Sequence, residues 1–450
     1  MNAEIHKISS LVKNLGGKAY LVGGCVRDMK LGIIPKDWDV EVFGVEVDVL
    51  ISALSENYQI DLVGKAFGVL KLKNLPIDVS FPRREVKNGG SHKDFVVSCD
   101  PYMSIKEAAL RRDFTINALM FDILTETYID PTNRGLSDLE NKILDPVSEK
   151  FNEDPLRVLR AMQFIARFGF SPSDKLIVYS RSLTPKDLSK ERIFEEWNKF
   201  FLKGENMSAG TKFLVDSWWI NFFPEILAIK DTPQDPVYHP EKEVLLHTGF
   251  VLDAFAKERT GNDEEDLIMG YACLCHDFGK ATHTFWYKEK EKWVAYGHEE
   301  AGEKPTRSFM EKLTNQEKFV NEIVNLVKHH LKPRLLFKAG AGKTAVRKLA
   351  LQVRIDRLCK INKLDQMGRP PLVFTEFPEV DWLLKMAENL NVVDKKPKPI
   401  VLGRHLIELG VESGPKMGTL LKTLFEAQLE GEFECLEDGI DFARKQIGKL

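Results

Sequence analysis

The sequence predicts an α+β head followed by an all-helical body, and three observations predict it. Residues from about 18 to 130 mix short strand-like runs (AYLVGG, WDVEVFG, GVLKLKN and IDVSF) with helical segments, the pattern of a sheet covered by helices. From about 146 onward alternation is nearly absent. The runs DPLRVLRAMQFIARFGF, SKERIFEEWNKFF, HTGFVLDAFAKE and EIVNLVKHHLK carry apolar residues at spacings of three and four, so the body is expected to be helical. Breaks rich in Pro and Asp at 228–240, and in Pro and Lys at 392–403, divide that body.

Length and composition bound the rest. At 450 residues with 43% hydrophobic content, the chain is too long for one core and can fill several. A net charge of −3 argues nothing for nucleic acid as a whole, so any RNA surface must be regional. Six cysteines are scattered with no C-x-x-C pair, which excludes a zinc knuckle and a disulfide framework and suits a reducing cytoplasm. The first 17 residues read as an amphipathic helix, and no apolar run approaches the roughly 20 residues that span a bilayer. A cytoplasmic protein without a targeting or membrane segment is expected.

The first chemistry lies in LVGGCVRDMKLGIIPKDWDVEVFG. A strand ends in Gly23-Gly24, a helix follows, and a second strand carries Asp37, Asp39 and Glu41 on one face by its period of two. A row of like charges repels unless a cation neutralises it, and Mg²⁺ prefers carboxylate oxygens. The glycine pair lets backbone N–H groups approach phosphates, and Arg27 lies one helical step away, so a triphosphate and metal ions would share this site.

These residues resemble the class II nucleotidyltransferases of the polymerase-β-like superfamily, and the likeness continues in order along about 200 residues. Arg111-Arg112-Asp113-Phe114-Thr115-Ile116-Asn117-Ala118 is similar to the family's RRDFTINA segment. Asp130-Pro131, Gly135 and Asp138-Leu139 resemble its DP…G…DL segment, and Glu153-Asp154-Pro155-Leu156-Arg157 its E-D-x-x-R motif. Glu191-Arg192 opens a further helix of the expected kind. The resemblance implies a mixed-sheet head in which Asp37 and Asp39 hold Mg²⁺ for transfer of a nucleotide from CTP or ATP to a tRNA 3′-hydroxyl. Glu41 and Asp78 are both candidates for a third carboxylate. Gly24, Arg27 and Arg112 would bind the nucleotide; Asp113 and Asn117 would read its ribose or, alternatively, cap a helix start.

Asp154 and Arg157, three apart on an expected helix, project together. Cytosine and adenine each offer an exocyclic amino donor beside a ring-nitrogen acceptor, which an acceptor Asp next to a donor Arg complements; uracil and guanine meet it with like groups opposed. The competing account is a surface ion pair within the helix. Arg160, one turn further, would assist. Two positions depart from the family pattern: Asp145 stands where a basic residue is usual, and Gln163 where a third arginine is common. The stretch Arg83–Lys93 resembles the flexible loop that CCA-adding and A-adding enzymes use to switch from C to A, which favours complete CCA addition.

A second constellation follows: His247, His276-Asp277, His298, His329-His330 and Asp365. Imidazole and carboxylate from successive helices are how a bundle makes a metal site. The series resembles the HD phosphohydrolase superfamily, and its coupling to this head resembles bacterial multifunctional CCA enzymes. That likeness implies His247, His276, Asp277 and Asp365 as ligands of a divalent transition metal or Mg²⁺, with Lys280, His298 and His329 or His330 facing a substrate phosphate. It also implies an organisation of head (1–145), helical neck (146–230), HD domain as a helical bundle (231–375) and C-terminal tRNA-binding or capping region (376–450).

Residues 328–363 carry 11 Lys or Arg against the single acid Asp356, among them Arg334, Lys338, Arg347, Lys348 and Arg354. RNA phosphates and a solvated helix face compete to explain them. KAGAGKT inside this stretch is not a P-loop, because Phe337 occupies the place of its first glycine and no apolar strand precedes it. The expected activity is therefore template-independent CCA addition to tRNA from CTP and ATP, with an HD phosphohydrolase behind it and no membrane partner. The rivals are an A-adding specialist or poly(A) polymerase of the same family, and an HD hydrolase whose head merely binds RNA. The sequence does not fix the oligomeric state.

Overall fold

A computed structural model describes residues 3–61, 68–87 and 95–448. Its contacts divide the chain into two compact units, Met1–Phe223 and Pro224–Leu450.

The first unit holds a mixed sheet. Its strands are β1 (Lys18–Val22), β2 (Trp38–Phe43), β3 (Ile60–Asp61), β4 (Val69–Leu72), β5 (Ile77–Ser80), β8 (Met120–Asp122) and β9 (Thr127–Ile129), in the order β3-β4-β5-β2-β1-β8-β9 among the described residues. β6 (Arg83–Lys87) and β7 (Phe95–Cys99) pair separately as a hairpin. The central strands are the expected apolar runs, and Leu21, Val40, Val42 and Val79 are fully buried in them. The amphipathic helix Ala3–Asn14 turns Ile5, Ile8 and Val12 inward and packs on β1. Of the stretch expected as a flexible loop, Arg83–Lys87 is strand β6, whereas Asn88–Lys93 lies outside the described residues.

Beyond the sheet, helix Leu156–Phe168 packs on helices Lys190–Lys203 and Met207–Asp216. It stops at Gly169, whose φ of 65° is left-handed. The second helix starts under Ser189, whose side chain accepts from the Arg192 N–H. Trp197, Phe200 and Phe201 fill the interior, with Trp197 stacked on Phe201 at 5.8 Å and edge-on to Phe200 and Phe223. A Cβ on Gly210 would stand 2.6 Å from the Phe200 ring, so only glycine allows that approach.

In the second unit, helices Val244–Lys257, Asp263–Cys275, Glu317–His329 and Ile355–Met367 pack on one another as a bundle. The body is helical as expected, with a few short strands beside the helices. β10 (Ile143–Leu144) pairs with β11 (Ser171–Pro172), and β12 (Phe285–Tyr287) with β13 (Lys292–Val294). Strands of two or three residues are too short for alternation to reveal them. Residues 400–447 bury their own apolar cluster, Leu406, Leu420, Leu424 and Phe433 at its centre, and Pro415 opens its helix Pro415–Glu430.

Trp197→Ala is expected to cost the first unit about 3–5 kcal/mol, the scale of a buried aromatic truncated to Ala, read as a shift of its denaturant unfolding midpoint. A change below about 1 kcal/mol would show that this interior is not packed as described.

Candidate active sites

Gly23 ends β1 with φ 76° and ψ −138°, a conformation strained for any residue with a Cβ. That Cβ would also meet Arg112 Nη1 at 3.0 Å and Asp39 Oδ2 at 3.8 Å. The glycine therefore keeps the backbone against two of the candidate residues at once. Asp37 stands exposed just before β2, and Asp39 is opposite Asp78 in the parallel register of β2 and β5. Asp39 is itself exposed, yet the protein atoms around its carboxyl desolvate it enough to raise it above its usual range; Arg112 opposes that, while Asp78, Asp37 and Glu41 raise it further. No three donor oxygens of these acids converge as closely as the groups found in the second unit.

Glu41 behaves differently from its neighbours on the strand. It is buried, with Arg111 Nη2 donating to Oε1 at 2.7 Å and Arg112 Nη2 to Oε2 at 3.3 Å. Among the described residues Asp78 has the Lys71 ammonium, at 3.8 Å, as its ion-pair partner and remains partly exposed. Glu41 is thus engaged in holding two arginines, and Asp78 is the acid left beside Asp39.

Buried Arg27, Asn117 and Asp113 and the partly exposed Arg160 form one chain. Arg27 Nη1 donates to Asn117 Oδ1 at 2.6 Å, Asn117 Nδ2 to Asp113 Oδ1 at 2.9 Å, and Arg160 Nε to Asp113 Oδ2 at 2.8 Å. The Arg27 guanidinium also lies over the rings of Phe164 and Phe168, at 5.0 and 4.6 Å. Burial alone would raise the Asp113 carboxyl, but Arg160, Asn117 and Arg157 together outweigh it and hold the group below its usual value. The expected helix start is a single 3-10 turn, Thr115–Asn117, and Asp113 instead accepts from the next backbone N–H, that of Phe114.

The geometry expected of Asp154 and Arg157 also needs correction. Asp154 lies outside the helix, extended at φ −132° and ψ 103°, because Pro155 precedes the first helical residue, Leu156. The two do not pair with each other. Asp154 Oδ1 accepts from the Leu156 N–H and Oδ2 from Arg192 Nη2 at 2.7 Å, while Arg157 donates to the carbonyls of Lys150 at 2.7 Å and Arg111 at 2.8 Å. The departures from the family pattern are structural: Asp145 accepts from Arg134 and Ser173, and Gln163 is buried in the helix.

The second site is denser. His247 Nε2 lies 2.9 Å from Asp365 Oδ1, and His276 Nε2 lies 3.2 Å from Asp277 Oδ2. Lys280 Nζ is 2.7 Å from the same Asp277 oxygen, and His298 Nε2 is 3.2 Å from the other. His330 Nε2 sits 3.3 Å from His298 Nε2. Each imidazole is oriented by a backbone carbonyl at Nδ1: Gly368 for His247, Cys273 for His276, Ala295 for His298 and Val327 for His330. Burial would raise the Asp277 carboxyl, yet His276 and Lys280 hold it well below its usual range; for His330, burial, then His298 and His276, depress the imidazole to about 3.

A cation fits these residues. His276 Nε2 is fully enclosed, with Asp277 Oδ2 at 3.2 Å but no well-aligned hydrogen bond among the described residues, and the donor atoms of His247, His276 and Asp277 lie within 4.8 Å of one another, as do those of Asp277, His298 and His330. Of the adjacent pair, His330 joins the cluster and lines its cavity of about 420 Å³; His329 does not line it. Three contributors escaped the sequence reading. Glu241 Oε1 lies 2.8 Å from Nδ1 of both His239 and His247, and Arg369 Nη2 clamps Asp365 at 2.7 and 2.8 Å. No motif carries them; only the one-turn spacing of Asp365 and Arg369 offered a signal.

Comparisons with known proteins match both regions of the chain. The family described as Poly A polymerase head domain matches residues 19–145, and the HD domain family matches residues 245–361. The class is thereby set: a nucleotidyltransferase head carried in one chain with an HD domain. The multifunctional CCA protein of Xylella fastidiosa (strain 9a5c) is 35% identical over 308 residues, 66% of this chain and 70% of the relative. That of Mannheimia succiniciproducens is 31% identical over 388 residues, 83% and 89%. The chain belongs to the multifunctional CCA protein family. Its fold is that of the Bacillus stearothermophilus CCA-adding enzyme solved in complex with CTP, with a TM-score of 0.67 at 19% identity over 100% of this chain and 99% of that one. The Thermotoga maritima CCA-adding enzyme complexed with tRNA gives 0.61 at 18% identity, covering 99% and 96%.

Glu41→Ala is expected to destabilise the first unit by about 3–5 kcal/mol, because it strands two arginines around a buried hole. Asp78→Ala is expected to stay within about 1 kcal/mol. Denaturant unfolding of the two variants side by side checks this, and an equal loss from both would contradict the division of roles.

Proposed function

We propose that this chain adds the 3′-terminal CCA to tRNA from CTP and ATP without a nucleic-acid template, and that its second site is a phosphohydrolase. The observation that carries the proposal is the pairing of Asp39 with Asp78 against Gly23 and Arg112, in a member of a family named for CCA addition. The relatives solved with CTP, ATP and tRNA support the same substrates. We take residues 1–145 as head, 146–230 as neck, 231–375 as HD domain and 376–450 as a tRNA-binding or capping region.

In the head, Asp37 and Asp39, with Asp78 as third carboxylate, would hold Mg²⁺, which supplies charge stabilisation at the α-phosphate and lowers the pKa of the attacking 3′-hydroxyl. Gly24, Arg27 and Arg112 face the triphosphate. Asp113 and Asn117 position the ribose, with Arg160 fixing Asp113. Asp154 accepts from the amino group of cytosine or adenine, and Arg157 exchanges its two carbonyl partners for the ring nitrogen. Arg192 holds Asp154 in place for that contact.

In the second site, His247, His276, Asp277 and Asp365 would hold the ion, a transition metal or Mg²⁺, which supplies activated water for hydrolysing 2′,3′-cyclic phosphates or phosphomonoesters. Lys280, His298 and His330 would bind the phosphate. The mixed nitrogen and oxygen donor set supports a metal of intermediate softness.

The test is incorporation by the purified chain with Mg²⁺ on tRNA transcripts ending at the discriminator base, at C and at CC. Three added nucleotides and a stop are expected with CTP and ATP together. Addition only to the CC-ended transcript would make it an A-adding specialist, and long A tails a poly(A) polymerase. Asp37→Ala is expected to reduce transfer by about 10²–10³-fold or more while sparing hydrolysis, and His276→Ala to do the reverse. Loss of both activities from either change, in a folded chain, would overturn the two-site reading.

A further inference from the structure

The hairpin that the sequence did not disclose is aromatic on both strands. Trp286 of β12 and Trp293 of β13 stand in register, with ring centroids 5.4 Å apart. Such a pair by itself would stabilise a two-stranded ribbon and need mean no more. That account does not reach Tyr238 and Tyr296, which lie outside the hairpin and are 51% and 61% exposed. Trp293, Tyr296 and Tyr238 line the same cavity as Asp277, His298 and His330. Phe285, itself 47% exposed, backs Tyr296 at 6.3 Å.

The same wall is cationic. Arg334 and Lys338, one turn apart on helix Lys332–Lys338, line the cavity together with Lys292, whose ammonium lies 5.4 Å from the Tyr238 ring centroid. Lys280 and Arg369 are tied to Asp277 and Asp365, whereas Arg334, Lys338 and Lys292 form no ion pair among the described residues. Much of the remaining basic stretch is already neutralised: Arg347, Lys348, Arg354 and Arg357 pair with Glu434, Glu430, Asp356 and Glu265. Unpaired cations interleaved with exposed aromatic rings are the combination that holds an unpaired nucleotide, phosphate on the cations and base on a ring.

We propose that Trp293, Tyr296 and Tyr238 form a base-stacking platform at the mouth of the second site, which selects phosphoesters of a nucleotide with an unpaired base over phosphoesters that lack a base. Its chemistry rests on the phosphohydrolase reading; its binding does not. The step it would serve consumes only water. The phosphorus–oxygen bond to the ribose breaks, the water oxygen joins phosphorus, and its proton passes to the departing ribose oxygen. A free mononucleotide and the 3′ end of an RNA strand both present this chemistry.

The test compares the full-length chain with Trp293→Ala and Trp293→Phe on adenosine 2′,3′-cyclic phosphate and on glycerol 1,2-cyclic phosphate. The unsubstituted chain should favour the adenosine ester in kcat/KM, and Trp293→Ala should reduce that preference by about 5- to 150-fold, the worth of one base stack. Trp293→Phe should largely keep it. An unchanged preference in Trp293→Ala overturns the platform. If neither ester is hydrolysed, the phosphohydrolase reading fails, and calorimetric binding of adenosine 2′-monophosphate decides the platform alone: loss of one binding event in Trp293→Ala supports it, and an unchanged isotherm overturns it. A tRNA carrying a 2′,3′-cyclic end, tested beside the mononucleotide, identifies which source the platform serves by which is hydrolysed with the higher kcat/KM.

Discussion

A carboxylate taken out of water must find a cation or a set of hydrogen-bond donors, since an uncompensated one costs several kcal/mol. Both units are arranged around that requirement. In the first, Glu41 lies buried inside the sheet, and the turn that follows the helix Ile105–Leu110 delivers Arg111 and Arg112 to its two oxygens. In the second, Asp277 and Asp365 are enclosed by His247, His276, His298, Lys280 and Arg369. Beside these compensated acids stand carboxylates that crowd one another, Asp39 against Asp78 in the strand register. A shortfall of cations beside so much careful pairing is what a metal centre requires of its protein.

The compensation also links fold to specificity. Arg157 donates to the carbonyl of Arg111, whose guanidinium holds Glu41, and Arg160 fixes Asp113, whose other oxygen orients Asn117 and through it Arg27. Arg157, proposed to read the base, is therefore joined through Arg111 to the strand that carries the acids, and the residues proposed to read the ribose are joined to one another and to Arg27. A change in one is expected to be felt in the others, because groups in one network do not contribute independently.

Much of this was legible in the sequence. Glycine before a helix, acids at a period of two, and histidines on successive helices are local patterns, and the strands and helices that carry them formed where they were expected. What escaped was the outcome of contacts between distant segments. Sequence spacing places Asp154 and Arg157 together, but Pro155 and the reach of Arg192 from the next helix send them to different partners. Glu41 and Asp78 are equal candidates as text, and they separate only when Arg111 and Arg112 arrive at Glu41. Glu241, His239 and the aromatic hairpin lie in short irregular pieces where neither periodicity nor motif gives a signal.

The central claim is that Asp39 is held at a cost which a divalent cation relieves. Partial desolvation and neighbouring acids disfavour its charged form, so at neutral pH a neutral residue there should not destabilise the metal-free protein. The direct measurement is thermal unfolding of the first unit with and without Mg²⁺, in chains carrying His276→Ala so that the second site does not respond, with and without Asp39→Asn. The account predicts that Asp39→Asn leaves the metal-free chain equally or more stable and abolishes its stabilisation by Mg²⁺. A clear loss of metal-free stability, or an undiminished response to Mg²⁺, would contradict it.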